Sequence, residues 1–501
     1  MLGDAKLHLL PFAFKRLFVK VKHAMPLIFS AAVLKTARSL QSQTRGASVS
    51  LFSGRCLGRC LLGFSLLAGG LAQAALPVQH WTQASGAKVY LVESHAIPMV
   101  DVQIDLDAGS RRDPPLQAGL ASVMAGQINN GTRADPKGQG PYAEGMDENR
   151  IGEAWADLGA SFGSSAGADR LSFSLRSLSA PDLLDQAVAL AARQMAHPAF
   201  PQNLWVRDRE RMIASLRESL TKPGTLAQHR FASAVYGSHP YGFRVTPESL
   251  ARIEAPDLQK LHAQSLRACR ASVSVVGALT RAQTDAMVQR LLALWPSESG
   301  CKPLPPVAEV APLTESQSLS VPFDSAQAHV LIGQPGYKRN DPDFFPLLIG
   351  NHILGGGGFV SRLTEQVREK RGLSYSVYSY FSPGLHAGAF TVGLQTRPDQ
   401  AAQAVAVAKE VVQNFVNDGP TEAELQAAKS NLVGGFALRI DSNRKLLDNV
   451  ANMAWNRLPL NYLDQWTAQV EKVSLADVRR AMAKVLQPQR MVTVVVGAAP
   501  G

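Results

Sequence analysis

From residue 88 onward the apolar positions switch repeatedly between the two-residue period of a strand and the roughly 3.6-residue period of a helix. Segments 88–93 and 99–108 read as strands, the second with strict apolar/polar alternation. Segment 117–129 is predicted to be a helix, and 150–158 a second one, ending at Gly159. A strand follows over 170–178. Ala180-Pro-Asp then opens a long helix through Met195, and 201–220 forms another, stopped by Lys222-Pro-Gly. Segment 272–277 is a strand and 280–295 a helix, before the proline-rich linker that starts at Cys301-Lys-Pro-Leu-Pro-Pro and includes Pro312.

The pattern then repeats. Strand 328–336 answers the one at 100, helix 341–354 answers the one at 117, and strand 389–396 answers the one at 171. Helices 400–417 and 422–438 answer the two long helices, and strand 490–497 closes the chain as 272–277 closed the first half. Such self-similarity predicts a duplicated α+β fold, each half a mostly antiparallel sheet with helices packed on one face. The expected boundaries are 76–300 for the first half, 301–320 for the linker and 321–501 for the second half.

Residues 1–74 read differently. Ten of the 51 Lys and Arg lie there, against one of the 40 Asp and Glu, Asp4. A short apolar run from Leu61 ends in Ala72-Gln-Ala74, which describes a secretory signal peptide cleaved near Ala74/Ala75. The run is short for a membrane span, so membrane attachment is expected only if the leader stays uncleaved. Export would place the protein in the periplasm or outside the cell. Without the leader the chain carries 41 basic and 39 acidic residues, a net charge of about +2. That balance gives no reason to expect nucleic-acid binding. Cys56 and Cys60 leave with the leader. Cys269 and Cys301 remain, a set compatible with one disulfide, which is the expectation here, or with two buried thiols.

The chemistry concentrates in Arg368-Glu-Lys-Arg-Gly-Leu-Ser-Tyr375. A helix carries the arginine, Gly372 turns the chain, and an extended run over 373–381 carries the tyrosine. The pair could grip a carbonyl or carboxylate of a bound peptide. The same octet is compatible with a surface helix arginine and a tyrosine packed on the core. The glycine run Gly355, Gly356, Gly357 and Gly358 lacks the Lys-Ser/Thr of a phosphate loop and follows no strand, which argues against nucleotide binding.

The octet, with Asn351-His-Ile-Leu-Gly-Gly-Gly-Gly-Phe-Val-Ser-Arg-Leu363 before it, resembles the C-terminal element of insulinase/pitrilysin-type zinc metallopeptidases. The resemblance extends from about residue 80 to the end. It implies two homologous halves facing each other around a chamber. By the same resemblance Arg368 and Tyr375 bind substrate beside a zinc held elsewhere, and the four glycines lie at the chamber mouth and touch it.

Active members carry H-x-x-E-H on the first helix, two histidines ligating zinc and a glutamate acting as general base, with a third ligand on a later helix. Here Ser122, Ala125 and Gly126 stand at those positions, and Ala214 and Ser215 where the third ligand is expected. No other histidine in the exported part has the spacing; His239 reads as part of a structural turn and His352 as a core histidine. The resemblance therefore implies a chain without its own cofactor: a zinc-free subunit completing the active site of a catalytic, zinc-binding homologous partner that cleaves unstructured peptides. The alternatives are a peptide-binding or scaffold protein of the same fold and, further off, a peptidase active alone.

Overall fold

The computed structural model describes residues 77–135, 138, 140–296 and 301–497. The leader and its cleavage site lie outside the described residues. In the first half, β1 (Gln79–Thr82), β2 (Lys88–Glu93) and β3 (Met99–Leu106) precede α1 (Leu120–Gln127) and α2 (Glu148–Asp157). Next come β4 (Ser161–Ala166), β5 (Leu171–Leu178), α3 (Pro181–Ala196), α4 (Gln202–Leu220), α5 (Pro223–Tyr236), α6 (Pro247–Ala251), α7 (Ala255–Ser265), β6 (Ser272–Gly277) and α8 (Arg281–Leu292). The second half runs β7 (Gln317–Val321), β8 (Ala328–Pro335), α9 (Phe344–Asn351), β9 (Val377–Phe381) and β10 (Ala389–Thr396). It ends with α10 (Ala401–Asp418), α11 (Glu422–Gly434), α12 (Asn443–Trp455), α13 (Tyr462–Lys472), α14 (Leu475–Val485) and β11 (Val492–Val496).

The duplication is visible in the strand order. The first sheet runs β1-β2-β6-β3-β5-β4 and the second β7-β11-β8-β10-β9. Leaving β1 aside, the two orders coincide strand for strand. Each has one parallel pair, β2 with β6 and β7 with β11, and is otherwise antiparallel.

Each sheet carries its own helices on one face, and a helix from the other half lies on the opposite face. Phe231, Ala227 and Val235 of α5 pack with Leu331, Val492, Val494 and Val496 of the second sheet. The Phe231 ring sits over Gly333 of β8, where an added Cβ would come within 2.8 Å of it and collide with the β10 backbone. Reciprocally, α12 lies on β3 and β6. This explains a departure from the strand pattern. Alternation such as that of β3 normally marks a strand with one wet face, yet Asp101 and Asp105 are each 1% exposed. With α12 on that face, Asp105 accepts from Ser172 (2.5 Å), Gln103 and Arg170, and Asp101 lies 3.4 Å from Arg176. Burial raises both carboxyls above their ordinary range.

The helices α5 and α12 are not among the elements predicted above, where Lys222-Pro-Gly reads as a stop. Pro223 instead occupies the first helical position of α5, where a missing N–H costs nothing. The short polar strands β1, β4 and β7 also lack a clear alternation. A polar seam adds to the contact between halves. Tyr241 Oη donates to Asp169 (2.6 Å), Asp169 accepts from Arg111 and from the Leu385 N–H, and Tyr236 Oη accepts from the Ala389 N–H. His239 caps the turn at Tyr241 and contacts the Ala308 carbonyl of the linker. Cys269 and Cys301 are joined as a disulfide, with Cα atoms 5.9 Å apart.

Two outcomes follow. Phe231→Ala should destabilise by about 3–5 kcal/mol while keeping one cooperative denaturant transition, because the lost contact belongs to both halves. Two separate transitions in wild-type protein would contradict the interlock. Reduction of the disulfide, which closes a loop with a sequence separation of 32, should lower stability by about 3–4 kcal/mol, read as a shift in denaturation midpoint under reducing conditions.

Candidate functional site

The glycine run and the arginine helix are two distorted turns of one continuous segment. Residues 352–356 and 364–369 both form π-helical turns, a geometry that recurs at functional sites. Gly355 is buried against β9, where an added Cβ would lie 2.4 Å from Ser379 Oγ. Asn351 and Ser379 exchange side-chain and backbone hydrogen bonds beside it (2.8 and 3.1 Å). Gly355 is therefore a packing residue and is not placed to touch a substrate. Gly356 and Gly358 are exposed and Gly357 is half-buried. Gly358 has φ +66°, a conformation that favours glycine, and the chain emerges there into exposed Phe359 and Val360.

Arg368 and Tyr375 meet. The helical segment buries Leu363 and Val367, which leaves Arg368 on the outer side. Gly372, at φ +60°, turns the chain, and the Leu373 N–H bonds back to the Val367 carbonyl at 2.9 Å. Ser374 then pins the following segment by donating to the Gln395 carbonyl (2.6 Å). Tyr375 precedes β9 and is 82% exposed, which rules out a tyrosine packed on the core. The Arg368 guanidinium lies 4.9 Å from the Tyr375 ring centre and 4.7 Å from that of Phe359, which is 71% exposed. Glu369 approaches the arginine at 3.2 Å.

Held between two rings, the guanidinium has fewer rotamers to lose on binding, and each ring contact contributes about 0.5–1 kcal/mol. Such a clamp can offer planar N–H donors and a phenolic O–H to one carbonyl or carboxylate. The residue pattern does not single out Phe359. An aromatic side chain directly after a glycine run is the available clue, since such a ring has little chain around it to bury it.

The clamp's base is braced from α11. Arg362 forks onto Glu424 with two bonds of 2.7 Å, donates to the Gly419 carbonyl (3.0 Å) and stacks over Phe415. Burial pushes the Glu424 carboxyl up, but the Arg362 fork and the Thr421 N–H and hydroxyl outweigh it, leaving the group at about 2.

The segments matching the zinc helices are adjacent. Gln127, the last residue of α1, and Asn130, in the turn beyond it, both donate to Asp208 of α4 (2.9 and 2.8 Å). Their side chains do not fit a metal. Ser122 is exposed and donates weakly to the Ala166 carbonyl (3.3 Å), Ala125 is fully buried, and Gly126 faces open space. Ala214 and Ser215 are exposed on α4. Among the described residues no group of three or more His, Cys, Asp or Glu could hold a metal ion. The structure thus brings together Arg368, Tyr375 and the end of the glycine run, and leaves the degenerate zinc positions as ordinary helix surface and core.

The Glu424 brace sets a pH dependence. Its folded value lies below the ordinary 4.5, so the stabilisation is complete above about pH 4.5 and lost as pH falls towards 2. Glu424→Gln should cost about 1–2 kcal/mol at pH 7 and flatten that acid limb in denaturation at stepped pH. An acid limb unchanged by the substitution would count against the brace.

Residues 252–432 match the family described as the peptidase M16 inactive domain. The non-peptidase homolog YmxG of Helicobacter pylori is 30% identical over 421 residues, covering 82% of this chain and 91% of that protein. A crystal structure of a peptidase M16 inactive domain from Pseudomonas fluorescens aligns with TM-score 0.78 and 33% identity, covering 85% of this chain and 99% of that one. A protease from Helicobacter pylori shares the fold at TM-score 0.74 and 18% identity, covering 85% and 100%. With likeness of this extent and with Ser, Ala and Gly at the H-x-x-E-H positions, the chain belongs to the M16 peptidase family, the insulinase/pitrilysin type, as a member without the zinc motif.

Proposed function

We propose that this chain is an exported, zinc-free subunit that completes the substrate chamber and active site of a heterodimeric zinc metallopeptidase. The observation that carries the reading is the exposed clamp of Arg368 between Phe359 and Tyr375, in a chain whose zinc positions hold Ser122, Ala125 and Gly126. A substrate-gripping pair maintained without its metal centre has a use if a homologous partner supplies the metal and the water it activates. The chamber is then bounded by this chain and its partner, because the chain's own halves are held together by exchanged helices.

Two steps belong to this chain. Arg368 donates N–H bonds to a backbone carbonyl of the extended peptide and holds it in register. Tyr375 donates its O–H to the carbonyl oxygen of the scissile bond as negative charge develops there, an interaction that strengthens towards the transition state. The basic leader ending in Ala72-Gln-Ala74 supports export, to the periplasm or out of the cell.

Purified alone, the chain should bind no stoichiometric zinc and cleave no unstructured peptide; one tightly held zinc per chain with chelator-sensitive activity would overturn the reading. In the assembled heterodimer, Tyr375→Phe should lower kcat by ~10²–10³. Arg368→Ala should raise KM as well as lower kcat, because it removes a charged grip from ground and transition states alike. Assembly and Tm should stay near wild type in both. Wild-type kinetics in a complex carrying both substitutions would leave a peptide-binding or scaffold protein as the better account.

A further inference from the structure

A second site lies away from the clamp's own segment. A cleft of 740 Å³ opens where the first residues of β2 and β6, the linker and the end of α12 meet. Lys88 and Ser272 are register partners at the start of the two parallel strands, so both halves of that strand pair reach the cleft. Arg270 donates to the Lys302 carbonyl and Arg112 to the Pro305 carbonyl, each at 3.0 Å, which fixes the linker as one wall.

The charge of the lining is one-sided. Its carboxylate, Asp107, is taken up by Arg111 and Arg112. Lys88, Arg270, Lys302 and Arg457 also line the cleft, and none of the four is in an ion pair among the described residues. Three lining residues hold a buried polar atom without a hydrogen-bond partner: Arg270 Nε, Ser272 Oγ and Trp455 Nε1. Buried donors without an acceptor are costly, which marks this wall of the cleft as incompletely satisfied by the chain itself. Arg457 itself sits at φ +55°, in the left-handed region that a bulky side chain rarely adopts. The strained turn places a cation at the cleft where a helix end would otherwise be capped by glycine.

From these features we infer that the cleft between the halves binds a small multivalent oxyanion. Cations from β2, the β6 approach, the linker and the α12 end line it, and their N–H groups supply charge-assisted bonds. The site is independent of the peptidase reading, since none of its residues belongs to the clamp or to the degenerate zinc positions.

Calorimetric titration of the full exported chain with inorganic phosphate, pyrophosphate and citrate tests this at low ionic strength. Pyrophosphate or citrate should bind with one-to-one stoichiometry and raise Tm, with inorganic phosphate weaker. Tighter binding of pyrophosphate than of citrate would assign phosphate chemistry; the reverse order would assign carboxylates. The double variant Lys302→Gln/Arg457→Gln, altered at two exposed side chains, should weaken binding by about 100-fold. No binding of any of the three anions by a folded wild-type chain would overturn the inference, as would binding unaffected by the double variant.

Discussion

The exchange of one helix between the halves is the constraint on which the rest depends. A sheet with helices on a single face leaves its other face to water or to a partner. Here Phe231 and its neighbours on α5 close the second sheet, and α12 closes the first. Burying that face of β3 brings Asp101 and Asp105 out of water, which is tolerable because Arg176, Arg170, Ser172 and Gln103 are beside them. The two halves thereby act as one rigid support, and the polar seam of Tyr241, Asp169 and Tyr236 reinforces it.

A rigid support matters because the clamp is built on short, irregular backbone. Two π-helical turns, a glycine pressed against β9 and a left-handed Gly372 would be loose in isolation. Each is tied to a regular element: Gly355 to Ser379 of β9, Ser374 to Gln395 of β10, Arg362 to Glu424 of α11. The outer layer is exposed Phe359 and Tyr375, with half-buried Arg368 in contact with both rings and with Glu369. Strain and order beneath, with exposed chemistry above, is the arrangement expected where a side chain must be preorganised without being buried.

Much of this was legible in the residues and some was not. The duplicated strand pattern, the long helices and the proline-rich linker follow from periodicity, since each is long enough for its apolar positions to repeat. The spacing of Arg368 and Tyr375 across Gly372 leaves their pairing as one of two readings, and the family resemblance favours it. The helices α5 and α12 escape: Pro223 reads as a break when it is a start, and the helical spacing of Leu446, Leu447, Val450 and Ala454 behind Ser442 does not tell that α12 covers the other half's sheet. The ring of Phe359 escapes because nothing local separates a functional exposed aromatic from an incidental one. Gly355 and Gly358 look alike in a run of four glycines, yet one fills space beside Ser379 and the other bends the chain.

The zinc positions and the clamp differ in what surrounds them. Ser122, Gly126 and Ser215 are solvent-facing and free of demanding contacts, and Ala125 is core, while Arg368 contacts two exposed rings and rests on a braced base. Phe359 and Tyr375, 71% and 82% exposed, bury little of their own surface against the Arg368 guanidinium. The energetically simpler solution for a scaffold would be to let these rings fold inward. That they stand in solvent around a cation is the physical reason to look for what they hold.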